Sequence, residues 1–464
     1  MAKLCLLALA SLALVVALMP SSEATSHPKT VCYYESWVHW RHGDGHMEPN
    51  EIDTTLCTHI VYAYFGIDAS THELKWLDPY LSKDLHDLEK FVKAKGSAKA
   101  LIAIGGASMS EQFGVTAGSD QYREAIARSV VSFCAQYQFD GVMIDWSGIA
   151  EKDSDNLIKL LDKFDEKFAS TPYTLGITLP ASTVTIQAVN VPKVTQYVDF
   201  INVLTIDYAG PWAKVVGHAS PLPEQLKTLE EYHKRGAPRS KLVMAVPLYA
   251  RTWKLASPAH QDIGDAAVSG GAKGPYTDVE GLLSYNELCV QIKQNPAAYS
   301  IIRDHANTAV HAVHLSGSTA EFISFEDSKT LAEKAKNITT EGYAGISVYT
   351  LSNEDVHGTC GKKYPLVHAI VENYNKADVH EVPITTLSPP VTHPATPPPT
   401  VPGVFKCDHE GKFRDHQYCF KYYECVKGEF GGFEQTVMNC ERHQAFDEHL
   451  QKCVEAKTVP GCGN

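Results

Sequence analysis

Asp140, Met143, Asp145 and Ser147 stand at the spacing of a catalytic strand, yet only the two aspartates carry a carboxyl. The segment between them reads Gly141-Val142-Met143-Ile144-Asp145-Trp146-Ser147. Side chains alternate faces along a strand, so 143, 145 and 147 share one face and 142, 144 and 146 the other. A row of carboxyls on the first face would suit general acid–base work, with one group donating a proton while its neighbours orient the substrate. Here the row holds a thioether, one carboxylate and a hydroxyl that titrates far above any working pH. Glu151 follows four residues later, where displacement past the strand end spoils the geometry and leaves an exposed loop carboxylate.

The elements that would position this row repeat along the chain. Short β-rich apolar runs at 30–34, 59–65, 100–104, 141–145, 174–178, 200–205, 242–247 and 345–349 alternate with amphipathic stretches at 84–95, 121–137, 153–169 and 222–235. That alternation predicts an α/β chain, a (β/α)8 TIM barrel with its reactive groups at the carboxyl ends of the strands. The seventh crossover is too long for one helix, so an α+β insertion is expected at about 251–320. The chain length before residue 377 suits one such barrel, over 25–376.

The segment 139–147 resembles the signature Phe-Asp-Gly-x-Asp-x-Asp-x-Glu of the glycoside hydrolase family 18 chitinases. Asp140 and Asp145 match its first and last aspartates, whereas Met143 replaces the middle aspartate and Ser147 the glutamate. Val31-Cys32-Tyr33-Tyr34-Glu35-Ser36-Trp37, the run from Cys57 to Phe65, Ile104-Gly105-Gly106, the run from Phe200 to Tyr208 and Val246-Pro247-Leu248-Tyr249-Ala250-Arg251 resemble the family's other strands. The resemblance implies a substrate-assisted hydrolysis in which the sugar's N-acetyl oxygen is the nucleophile and the protein supplies the acid. The acid's position is Ser147, so the motif is degenerate and no catalytic residue is assigned.

Further departures surround the sugar-binding floor that the family implies. Ile206 stands where a tyrosine would contact the N-acetyl group, while Asp207 is kept. Tyr349 replaces the tryptophan at the end of the eighth strand, and Ala107-Ser108 follow the glycine pair without the usual tryptophan. Trp37, Trp212, Tyr249 and Tyr349 remain as a candidate stacking path, with Asp207 a candidate polar contact and Trp212 the foremost ligand contact. Asp145 is expected as a hydrogen-bonded structural group. The histidines lack metal spacing; His39, His42 and His46, and His305, His311 and His314, read as surface groups. No metal or cofactor is expected. Asn337-Ile338-Thr339 is a glycosylation acceptor if exposed.

The ends of the chain set its compartment. Lys3, an apolar run from Leu4 to Leu18 and Ser22-Glu23-Ala24 form a signal peptide over 1–24. Twelve cysteines point to an oxidising, extracellular setting. The net charge of −13, without a basic cluster, argues against nucleic acid or an anionic membrane and is compatible with a neutral polysaccharide. A Thr/Pro-rich tract over 377–402 cannot bury a core and reads as an extended tether. After it, Cys407, Cys419, Cys425, Cys440, Cys453 and Cys462 imply three disulfides, with fifteen connectivities open from sequence alone. This ending, 403–464, resembles the peritrophin-type chitin-binding domain. The family patterns imply Cys32–Cys57 and Cys289–Cys360 in the barrel, and Cys407–Cys425, Cys419–Cys462 and Cys440–Cys453 in the module. Cys134 is left over as a buried hydrophobe. Tyr422, Phe430 and Phe433 are candidate sugar contacts, with Tyr423 and Phe446 filling the small core.

Taken whole, the chain is similar to the group 18 mite allergens, which are chitinase-like. The expectation is a secreted, monomeric, catalytically inactive lectin for chitin or chitin oligosaccharides. Two other readings stand beside it: a weakly active chitinase that uses an unrecognised acid, and a growth-factor-like signalling protein.

Overall fold

The computed structural model describes residues 28–83, 86–374, 405–415, 418–441 and 443–462. The signal segment and the Thr/Pro tract lie outside the described residues. Eight parallel strands close a barrel: Lys29–Glu35, His59–Ile67, Lys99–Gly105, Gly141–Asp145, Thr174–Pro180, Phe200–Leu204, Leu242–Pro247 and Gly345–Tyr349. The first strand pairs with both the second and the eighth, which leaves no open edge. Helices His86–Ala94, Asp120–Tyr137, Ser154–Phe168, Leu222–Lys234 and Ser328–Thr340 cover the outside.

Two apolar layers follow from strand alternation. Val142, Ile144 and Trp146 pack outward among helix residues such as Leu157 and Phe164. Met143 points inward, with Tyr33, Val61, Ala103, Phe200, Val243 and Tyr349. One glycine is required at the strand ends. At Gly105, where φ is +130°, an added Cβ would lie 1.9 Å from the Asp145 carbonyl oxygen, so the third and fourth strands meet only without a side chain there. Asp140 sits at the opposite, amino end of the fourth strand. Its carboxylate accepts from the Ala100 amide at 2.8 Å and from Lys95 at 2.9 Å, a clamp on the barrel floor far from the mouth.

The insertion is a lobe on antiparallel strands Tyr249–Leu255, Ala267–Gly270, Leu282–Ser284, Tyr299–Asp304, Ala309–Ser316 and Thr319–Phe325, with helix Tyr285–Gln294. The cysteines pair as Cys32–Cys57, Cys289–Cys360, Cys407–Cys425, Cys419–Cys462 and Cys440–Cys453. Cys134 is free and buried, and burial pushes its thiol up to about 12.

The terminal module is not held at a distance from the barrel. Its strand Phe433–Asn439 adds in parallel to the lobe strand Tyr299–Asp304, with Ile301 opposite Glu434 and Arg303 opposite Thr436. The lobe sheet thereby continues through Lys421–Lys427 to Gly411–Arg414. Charge and apolar contacts fasten the joint. Glu434, 1% exposed, accepts from Arg303 at 3.1 Å and from Lys329 at 2.7 Å, while Arg303 also grips Asp327. Phe430 is buried against Tyr285 and Phe325 of the barrel half, with ring centroids 5.8 Å and 6.2 Å away. The lobe's sheet edge supplies the module's resting place.

Candidate functional site

At the carboxyl end of the fourth strand, Asp145 is 3% exposed. The Tyr64 hydroxyl faces its carboxylate, and Ser147 Oγ donates to Oδ1 at 3.4 Å. Burial raises this acid to about 6, against the pull of those two hydroxyls. Met143 below it is fully buried, and its thioether occupies the space that a Cβ on Gly176 would need. The backbone oxygen of Ser147 accepts from the Ser110 hydroxyl. Glu151 is exposed, on a short helical turn beyond the strand.

Two more carboxyls at the strand ends are committed to neighbours. Asp207 accepts from Arg251 Nε at 2.8 Å, Arg251 Nη2 at 2.6 Å and the Tyr249 hydroxyl at 2.9 Å. That two-point grip holds Arg251 firmly charged and plants its guanidinium 5.3 Å from the Trp212 ring centre. Trp212 itself is 63% exposed, a flat apolar face on a rigid support. Glu35, whose pKa burial raises, accepts from Ser352 at 3.1 Å and faces Arg41 at 3.8 Å.

The four aromatic residues proposed as a stacking path divide. Trp37 and Trp212 are exposed, and Tyr249 is half-buried with its hydroxyl on Asp207. Tyr349 is buried: Tyr33 stacks on it at 4.3 Å and Asn202 Nδ2 donates to its hydroxyl at 3.1 Å. A tyrosine has a hydroxyl that must be satisfied, and Asn202 lies deep on the sixth strand, so the ring is drawn into the barrel. Ile206 packs partly buried beside the same inner layer.

A groove of about 620 Å³ opens beside Trp37, lined also by Trp40, Tyr64, Leu77, Asp78 and Tyr80. Trp37 lies nearly parallel to Tyr64 at 6.2 Å, and Trp40 Nε1 donates to Asp78 at 2.7 Å. Trp40 and Tyr80 are 51% and 68% exposed. Sequence reasoning selected Trp37 alone. Trp40, three residues on, is its neighbour on the turn Ser36–Trp40, and that spacing was the available signal.

In the module, Phe430 is corrected from sugar contact to buried joint. Tyr422 is 9% exposed and stacks on Phe446 at 4.1 Å, so it belongs to the small core; Tyr423 also packs inside, against Phe405. Phe433 is half-buried. The exposed rings are Tyr418 and Phe420, at 48% and 45%, with centroids 5.8 Å apart. They flank Cys419, whose disulfide fixes that segment.

Among the described residues one trio has donors within 4.8 Å of each other: His39, Glu48 and Asp87. They answer one another, with His39 3.2 Å from Asp87 and Glu48 joined to Lys90 and His46. His311 is buried against Phe322 rather than at the surface, and burial lowers it to about 3. Asn337 lies within the helix Ser328–Thr340, half-buried, with Nδ2 donating to the Glu333 carbonyl at 2.9 Å. No helix among the described residues is long and apolar enough to cross a membrane.

Comparison with known proteins matches residues 29–354 to glycosyl hydrolases family 18 and residues 407–462 to the chitin binding peritrophin-A domain. The chain is 61% identical, over 95% of both chains, to the chitinase-like mite allergen Der f 18.0101 of Dermatophagoides farinae. Among solved structures it is similar to the Group IV chitinase of Ostrinia furnacalis in complex with allosamidin. That likeness has TM-score 0.69 and 30% identity, over 74% of this chain and 97% of that one. It is also similar to human YKL-39, a pseudo-chitinase with retained chitooligosaccharide binding, with TM-score 0.68 and 26% identity over 75% and 99%.

Proposed function

The chain belongs to glycosyl hydrolases family 18 and ends in a peritrophin-A module, and on that premise we propose that it is a secreted chitin-binding lectin without hydrolytic activity. One observation carries the reading: at the acid's position Ser147 offers a hydroxyl beside Asp145, with Met143 sealed beneath. A serine cannot protonate a leaving sugar oxygen at working pH. Asp145, buried and engaged with Tyr64, takes the place of a structural group. Sugar binding asks less of the site. Exposed Trp37, Trp40 and Trp212 offer flat faces for pyranose rings, and Asp78 and Asp207 hold the supporting groups in place.

In the module Tyr418 and Phe420 are the contacts that exposure favours; Tyr422 and Phe430 are withdrawn from that role. The retained chitooligosaccharide binding of the pseudo-chitinase YKL-39 is compatible with this division between binding and turnover. Five disulfides support an extracellular setting. The test is binding by the full chain. Chitotetraose should change the tryptophan fluorescence of the wild type, with affinity falling about tenfold in Trp40→Ala. Retention on chitin beads should fall in Tyr418→Ala with Phe420→Ala. Wild-type protein that neither answers chitotetraose nor stays on the beads would overturn the reading.

A further inference from the structure

The joint between barrel lobe and module encloses a second cleft, of about 410 Å³, within the range of about 300–1,000 Å³ common for small-ligand sites. Tyr299 and Ser300 line it from the lobe; Asp408, Phe433 and Gln435 line it from the module. It is separate from the groove at Trp37, which shares none of its residues. Two observations mark it as more than a packing gap. Phe433 and Gln435, two apart on one strand, present an aromatic ring and an amide on the same side. The Gln435 side chain is buried, the residue being only 8% exposed, and its Oε1 has no hydrogen-bond partner among the described residues. Buried polar atoms are rarely left unpaired without a reason.

We propose that this cleft is a binding site for one end of a short N-acetylglucosamine oligosaccharide, built only when the module is docked. The chemistry fits that ligand class. The ring of Phe433 suits the apolar face of a pyranose, and a turn of the buried Gln435 amide toward the cleft would let an acetamido N–H supply the donor that its Oε1 lacks. Ser300 and Asp408 can meet sugar hydroxyls. An anionic ligand is disfavoured by Asp408, and Lys406, the cation on the rim, already donates to the Ala297 carbonyl. Because the walls come from both halves, ligand binding and docking stabilise each other by linkage. The inference rests on the proposed chitin reading only for the choice of sugar.

Hydrogen–deuterium exchange on the full chain, with and without N,N′-diacetylchitobiose, tests it. Saturating chitobiose should slow exchange in 299–303 and 433–436 of the wild type. Phe433→Ala and Gln435→Leu, with disulfides and melting temperature intact, should each raise the chitobiose concentration needed for that protection about tenfold. Absence of protection in the wild-type segments would overturn the proposal, as would protection unchanged in both variants. If neither variant folds, the wild-type result decides alone. Wild-type chitin-bead retention is read in parallel: retention without seam protection sinks this site only, and loss of both sinks the chitin reading as well.

Discussion

Asp145 is a carboxyl kept where a charge is costly. Its acid is held at about 6 against an ordinary 3.8, so the folded state prefers the protonated form. Stability is therefore greatest below the unfolded value and declines as pH rises to about 6, a loss of about 3 kcal/mol at neutral pH. Asp145→Asn should remove that decline and raise stability at pH 7 by up to about 3 kcal/mol. Urea unfolding at pH 4 and pH 7 measures it; an Asn variant less stable at pH 7 would show that the carboxylate is needed. Glu354, buried and raised from 4.5 to about 8, adds its own decline between those values, which overlaps this window and which the substitution leaves in place, so the Asp145 share is the difference between wild type and variant. Met143 makes the opposite case. Fully buried against Gly176 and Phe200, it should cost about 2–5 kcal/mol to replace by aspartate, read as a lower denaturation midpoint. Ser147→Glu together with Met143→Asp should still raise chitotrioside turnover at least about tenfold above wild type, part of what a positioned acid supplies. No gain would mean that Tyr349 and Ile206 have closed the floor to sugar.

At the scale of elements, the barrel was legible because its strands are long, apolar and regularly spaced. All eight strand runs expected from sequence end within two residues of those formed, and the fourth, seventh and eighth, Gly141–Asp145, Leu242–Pro247 and Gly345–Tyr349, coincide. The motif face was legible for the same reason, since alternation alone sends Met143 inward and Trp146 outward. What escaped was set by contacts distant in sequence. Phe430 reads as an exposed aromatic beside Gly431-Gly432, but Tyr285 and Phe325, more than a hundred residues earlier, bury it. Tyr349 reads as a stacking surface until Asn202 claims its hydroxyl. Trp40 was passed over although its spacing of three from Trp37 on the turn was there to be read. The joint predicts its own fragility. Phe430→Ala removes a buried ring, and Glu434→Ala strips Arg303 and Lys329 of a shared carboxylate. Each should free the module, raising the radius of gyration in small-angle scattering and speeding exchange at 301–303. A scattering profile unchanged in both variants would contradict the account of docking.

At the scale of the whole molecule, one continuous sheet joins the inserted lobe to the terminal module. A module fixed by strand addition holds Tyr418 and Phe420 in a set orientation to the barrel groove; on the proposed lectin reading, their joint action on a polymer would depend on that geometry. Family membership gives this chain a hydrolase scaffold; the residues in its mouth decide what the scaffold does. The most direct measurement is release of fluorophore from a chitotriose glycoside by the purified full chain across pH 3–8. The account predicts no turnover above the buffer rate at any pH, although the same preparation is retained on chitin. A protein-dependent rate with a pH optimum would contradict it, and its loss on Glu35→Gln or Asp145→Asn would identify the acid responsible.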